Sequence, residues 1–217
     1  MLFDLDDTLV NDKAAARQAV VAWSEALGLI DPNAGQRWAQ ISAKHYSRYQ
    51  RRELTFAGQR RERVRDFLDR PITDLQADRL FTDYLKHYEA GWTVFGDTIA
   101  TLRRARKADL AVAVLTNGDE SQQLRKLERL ALRSRIDLVV ASSSLPAGKP
   151  DPRAFRHTLD LLGADASGAL MVGDSLENDV LGAQAAGLKA VLLDREGVHA
   201  GLDVPRVRSL HDLVFTT

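Results

Sequence analysis

The chain contains no cysteine. Disulfide bridges, thiolate metal sites and a cysteine nucleophile are therefore excluded from any account of its stability or chemistry. Long apolar runs are missing as well: none approaches the roughly 18 residues that a membrane-spanning helix needs. The N-terminus lacks the basic, apolar and small-residue order of a secretory signal. A cytoplasmic protein with no membrane partner is the expectation. Net charge is also absent, because 30 Lys and Arg balance 30 Asp and Glu. A dedicated nucleic-acid binder carries a clear basic excess, so nucleic acid is not expected as a partner.

What is present fits an ordinary globular chain. Its 217 residues suffice for one large domain, or for a core with a smaller insert. The neutral charge is unevenly spread: residues 13–91 hold 14 Lys and Arg against 10 Asp and Glu, net +4, and the remainder is net −4. The basic excess lies in "KHYSRYQRREL" and "QRRERVR". Such runs read as solvated helix faces, and they also fit a small anionic substrate.

Periodicity divides the chain in two. Residues 110–115, 136–140, 169–172 and 189–193 are short, consecutive apolar runs rich in β-branched residues. Strands buried on both faces of a parallel sheet read this way. Helical stretches lie between them. Asp97 is placed to cap a helix running to Lys107, and another runs from Ser121 or Gln122 to near Leu132. In "KPDPRAFRHTLDLLG", Asp151 stands as N-cap, Pro152 at the first helical position and Gly163 at the stop. A last helix is expected from Glu177 to Ala186. Alternation of this kind implies a doubly wound sheet with a site at the strand C-termini. Residues 13–91 break the rhythm with four helical stretches and no strand, as a helical insertion after the first strand would. Two segments then form the core, 1–12 and 92–217, joined to the insert through hinges at 10–12 and 92–96.

The opening, "MLFDLDDTLV", sets three carboxylates within four residues among apolar neighbours. Like charges this close repel, and burial raises their cost, so a compensating positive group is required. An EF-hand loop would need Gly and Glu where Leu9 and Ala15 stand. Three later stretches supply partners: "VLTNG" with Thr116, "AGKPDP" with Lys149, and "MVGDSLENDV" with Asp174 and Asp179. Taken singly these are turn caps, a loop lysine and first-turn helix acids. Together, each falls at the C-terminal edge of an expected strand or in the loop beyond it.

With those residues in view, the sequence resembles the haloacid dehalogenase-like hydrolase superfamily. The four family motifs match "DLDDT", "LTN", "GKPDP" and "GDSLEND", and the helical insert matches the cap of the phosphatase branch. Only Met1 to Phe3 precede Asp4, which leaves a first strand shorter than the usual ~5–6 residues and raises the question of an upstream start. The resemblance implies an α/β fold, a doubly wound parallel sheet with a small α-helical cap domain at 13–91. It implies a Mg²⁺-dependent phosphatase that hydrolyses a small phosphorylated metabolite through an aspartyl-phosphate.

The same resemblance implies that Asp4 is the nucleophile and Asp6 the general acid and then base. Thr116, Asn117 and Lys149 would bind phosphate. Mg²⁺ would be held by Asp4, the backbone carbonyl of Asp6, and Asp174. Asp179 would orient metal-bound waters or Lys149, and Asp7 would serve a turn. In the insert, Tyr46, Tyr49, Arg48, Arg51, Arg60 and Arg63 are candidates for the rest of the substrate, against the plainer reading of a surface helix. A phosphomutase and a 2-haloacid dehalogenase remain as alternatives on the same fold. Asp6 together with Asp174 favours phosphoryl transfer over dehalogenation.

Overall fold

The computed structural model describes residues 1–215. Two compact units form: one from Met1–Asn11 together with the chain from Val94 onward, the other from Asp12–Thr93. The second unit begins one residue before Lys13 and ends two after Gly91, because Asp12 already opens the first helix and its carboxylate accepts the Tyr88 hydroxyl.

The first unit is a six-stranded parallel sheet in the order β3-β2-β1-β4-β5-β6. Its strands are β1 (Leu2–Phe3), β2 (Ala113–Thr116), β3 (Leu138–Ala141), β4 (Leu170–Gly173), β5 (Lys189–Leu193) and β6 (Arg206–Val207). Alternation along the strands sends Leu2, Leu115 and Met171 into one apolar cluster and Phe3, Val114 and Val172 into the other. With both faces covered, the strands are apolar at consecutive positions. β2 starts later than the sequence predicts, at Ala113, because the Val112 N–H is taken by the Asp137 carboxylate (2.8 Å). That contact also places Ile136 and Asp137 before β3. β6 was not anticipated: it is two residues long, with a charged first residue, and is identified only by its pairing with β5.

Three full helices serve this unit: α5 (Thr98–Lys107), α6 (Glu120–Arg129) and α7 (Pro152–Leu162). α6 is capped by Asp119 and α7 by Asp151, with Pro152 at its first position and Gly163 left-handed at its end. The helix expected from Glu177 to Ala186 is instead a π-helical turn, Leu176–Leu181, followed by the short α8 (Gly182–Ala185). Wide turns of this kind are rare, and they are frequent at functional sites. No helix of the described residues is long and apolar enough to cross a membrane.

The second unit consists of α1 (Asp12–Ala26), α2 (Ala34–Gln50), α3 (Phe56–Leu68) and α4 (Asp74–Ala90). Thr55 caps α3, and Thr73 with Gln76 forms a reciprocal capping box on α4. Its interior is aromatic. Trp38 lies 4.6 Å from Tyr84 and 5.5 Å from Trp23, and Trp23 lies 5.3 Å from Phe67, ring centre to ring centre. Such buried side chains contribute roughly 1.5–3 kcal/mol each.

Asp97 departs from its expected role. It precedes α5, but its side chain makes no capping bond. The carboxylate accepts instead from Arg195 (2.9 and 3.0 Å), the Ser209 hydroxyl (2.7 Å) and the Leu210 N–H (2.8 Å), tying the C-terminal segment to the core. Burial raises its pKa, but these donors outweigh burial and hold it at about 2. A depressed carboxylate contributes stability above its ordinary pKa and loses that contribution as pH falls through the folded value. The shift corresponds to about 2 kcal/mol. Asp97→Asn is expected to lower the thermal midpoint at pH 7 by roughly 4–8 °C. In melts followed by circular dichroism, the gap from wild type should close as pH falls from about 4 to 2; a gap that persists at pH 2 would contradict this account.

Candidate active site

β1 lies between β2 and β4; the chain builds outward through β2 and β3 on one side, then crosses back to add β4, β5 and β6 on the other. Sheets of this topology open a crevice at the C-terminal ends of the strands, where the winding reverses. Asp4 is the first residue beyond β1, and its N–H donates to the Val172 carbonyl at 2.9 Å. Thr116 is the last residue of β2, and Asp174 follows β4 directly. Lys149 comes from the loop between β3 and α7. Its backbone is bracketed by the Asn117 carboxamide, which accepts the Lys149 N–H (2.8 Å) and donates to the Lys149 carbonyl (2.6 Å). The Asn117 side chain thus sets the lysine loop.

The Lys149 ammonium donates to Asp4 Oδ1 (2.7 Å) and Asp179 Oδ1 (2.6 Å). All three residues are buried, at 4 %, 7 % and 1 % exposure. Burial works against the lysine's charge, but Asp179 and Asp4 together hold its pKa well above the ordinary value. Burial is also the main force on Asp4, pushing its pKa well up, with Asp179 and Asp174 adding to the rise and Lys149 opposing it. The other Asp179 oxygen accepts the Ser175 N–H (3.0 Å). A Cβ at residue 173 would lie 2.2 Å from that same oxygen, so the carboxylate can enter only beside a glycine. Ligand oxygens of Asp4, Asp174 and Asp179 lie within 4.8 Å of one another. Three carboxylates against one ammonium leave an excess of negative charge in an all-oxygen cluster, which suits a hard divalent cation. The donor set therefore fits Mg²⁺. The cluster includes Asp179 and not the Asp6 carboxylate.

Asp6 is turned elsewhere. Its carboxylate accepts from the Lys126 ammonium and from Gln123 Nε2 (2.7 Å), and Gln123 Nε2 also donates to Thr116 Oγ1 (2.9 Å). Asp7 takes a left-handed conformation (φ 62°) and its N–H donates to the Val10 carbonyl, which makes it the turn residue of the loop. Thr8 is fully buried. Its hydroxyl accepts the Asp174 N–H (3.1 Å) and its carbonyl accepts from Arg195 (2.9 Å).

Sequence reasoning assigned no role to Gln123, Lys126 or Thr8. For the first two a signal existed. Gln123, Lys126 and Leu127 follow the spacing of one helix face, and a polar pair on the face that α6 turns inward calls for a partner.

The six candidates in the helical unit are engaged within it. Tyr49 is buried, its ring in tilted contact with Tyr46 and Phe56 (centroids 5.6 and 5.4 Å apart). Arg48 and Arg51 both pair with Glu53. Arg60 lies over Phe56 (4.1 Å), and Arg63 over Trp38 (4.5 Å).

Comparison with known proteins finds relatives over most of the chain. The chain is 31% identical to phosphoserine phosphatase of Thermus thermophilus, over 90% of this chain and 88% of that protein. It is 32% identical to phosphoglycolate phosphatase of Neisseria gonorrhoeae, over 87% and 77%. A HAD-hydrolase from Bacillus subtilis, solved bound to magnesium, shares the fold with a TM-score of 0.84 at 20% identity, over 97% of this chain and 94% of that one. The sequence pattern of the haloacid dehalogenase-like hydrolases matches residues 1–187, and the chain belongs to that family.

Proposed function

We propose that the protein is a Mg²⁺-dependent phosphatase that hydrolyses small phosphorylated metabolites through an aspartyl-phosphate. The observation that carries this reading is the Lys149 ammonium shared between Asp4 and Asp179, with Asp174 within ligand distance of both carboxylates. The Thermus and Neisseria relatives, named for phosphoserine and phosphoglycolate, support a small phosphate monoester as substrate.

In this mechanism Asp4 attacks phosphorus in line, forming the Asp4–phosphorus bond as the ester oxygen leaves. Lys149 fixes the Asp4 carboxylate and offsets charge on the phosphoryl group. The Thr116 hydroxyl, which accepts from Gln123, donates its own hydrogen to a phosphate oxygen. Asp6 gives its proton to the departing alkoxide. It then takes a proton from the water that attacks the phosphoenzyme, so that inorganic phosphate leaves and Asp4 is regenerated. Mg²⁺, held by Asp4, Asp174 and either Asp179 or the Asp6 carbonyl, would favour the charged form of Asp4 and stabilise negative charge on the phosphoryl oxygens. The helical unit we assign to choice among phosphate esters.

Asp4→Asn keeps the shape of the side chain but removes the nucleophile. It should lower the turnover of nitrophenyl phosphate by at least about 100-fold in a protein that still melts cooperatively. Retention of more than a few per cent of the wild-type rate would rule out the covalent route. Release of inorganic phosphate, with no turnover of 2-haloacids, separates hydrolysis from the phosphomutase and dehalogenase alternatives. Chelation should abolish turnover, and Mg²⁺ should restore it where Ca²⁺ does not, since Ca²⁺ prefers larger and looser coordination. An undiminished rate in excess chelator would refute the metal requirement.

A further inference from the structure

The α6 helix turns an ammonium into the protein. Lys126 has no solvent-exposed surface, and neither does its side chain taken alone. A lysine is almost never fully buried unless it is paired, and its pairing here is with Asp6 Oδ1. The other oxygen, Asp6 Oδ2, accepts from Gln123 Nε2 at 2.7 Å. Both oxygens of one carboxylate are thus engaged by two residues three apart on one helix face, which fixes the torsion of the carboxyl group as well as its position. The second hydrogen of Gln123 Nε2 serves Thr116 Oγ1 at 2.9 Å. One amide group therefore sets both Asp6 and the hydroxyl at the end of β2.

The surroundings are shaped to hold this arrangement. Gln123 is 1 % exposed. A Cβ at residue 118 would stand 2.4 Å from Gln123 Nε2 and 2.6 Å from its Cγ and Cδ, so the glycine of "LTNG" makes the room that the glutamine occupies. Asp119 fixes where α6 begins by accepting the Gln122 N–H, and so sets the register that turns positions 123 and 126 inward.

We infer that Lys126 and Gln123 are positioning residues for Asp6, a two-point clamp that holds the acid–base carboxyl at one orientation beside Thr116. The inference rests on the acid–base role proposed above for Asp6. Lys126 acts through Asp6, and Gln123 acts through both Asp6 and Thr116. A proton-transfer group gains its effect only when held within hydrogen-bond reach of the atom it serves, so loosening one side of the clamp lowers the rate without weakening substrate binding.

A double-mutant cycle in the full-length, Mg²⁺-loaded protein tests this. Lys126→Met, which replaces the ammonium with an apolar chain of similar length, should lower kcat on an alkyl phosphate by roughly 10- to 100-fold, within the roughly 10²–10⁴ that acid–base catalysis contributes. KM should stay within about twofold. The loss in the first, enzyme-phosphorylating step should be smaller with nitrophenyl phosphate, whose leaving group needs little protonation. In an Asp6→Asn background the same substitution should cost less than about twofold, because the group it acts through is already gone. Should Lys126→Met fail to melt cooperatively, Lys126→Gln, which keeps a donor and removes the charge, replaces it in the cycle. Equal losses with and without Asp6, or equal losses on both leaving groups, would overturn the clamp. So would a wild-type-like Lys126→Met where Asp6→Asn is crippled, leaving the acid–base reading intact. If Asp6→Asn itself turns over alkyl phosphates at the wild-type rate, the acid–base reading has failed and the clamp falls with it.

Discussion

The ammonium of Lys149, buried between Asp4 and Asp179, is the interaction on which the rest of the catalytic unit depends. An isolated charge this deep costs several kcal/mol, and removing one partner of such a group leaves the other uncompensated. The neighbourhood is organised to avoid that state. A two-residue β1, paired on both sides, delivers Asp4 at the centre of the sheet. Asn117 holds the lysine loop by its peptide group. Gly173 leaves room for Asp179, and the π-helical turn after Ser175 carries Asp179 to the lysine. Asp174 adds a third carboxylate beside this ammonium, and the negative charge left over suits the cluster to a divalent cation.

A second charged pair, between Asp6 and Lys126, occupies the same unit with a different partner helix. The two aspartates stand two residues apart in the sequence but are governed by different cations, one from the β3–α7 loop and one from α6. Adjacent carboxylates held in different surroundings can take different roles, which is what the proposed division between nucleophile and proton carrier requires. Gln123 links the halves by touching Asp6 and Thr116 together. The helical unit follows another logic. Its stability comes from an aromatic interior and from caps written locally into α3 and α4.

The sequence by itself determined the α/β class, the four helices placed within residues 13–91, the Asp151–Pro152–Gly163 punctuation of α7, and the gathering of Asp4, Thr116, Lys149 and Asp174 at strand ends or in the loops beyond them. These are local signals: apolar runs, helical spacing and turn residues act over a few positions, and a parallel sheet brings its strand ends together whatever the loops do. Only the tertiary structure decided where polar side chains point. Asp97 stands where a cap belongs, yet four donors from residues near 200 in the sequence claim its carboxylate. The Asn117 side chain, next to Thr116 at the end of β2, is drawn to a backbone 32 residues away. Lys126 lies 120 residues from Asp6, and its burial against that carboxylate is invisible in either local stretch. A hydrogen bond or ion pair is won by whichever partner packing brings within about 3 Å, and that competition is settled only once the chain has folded.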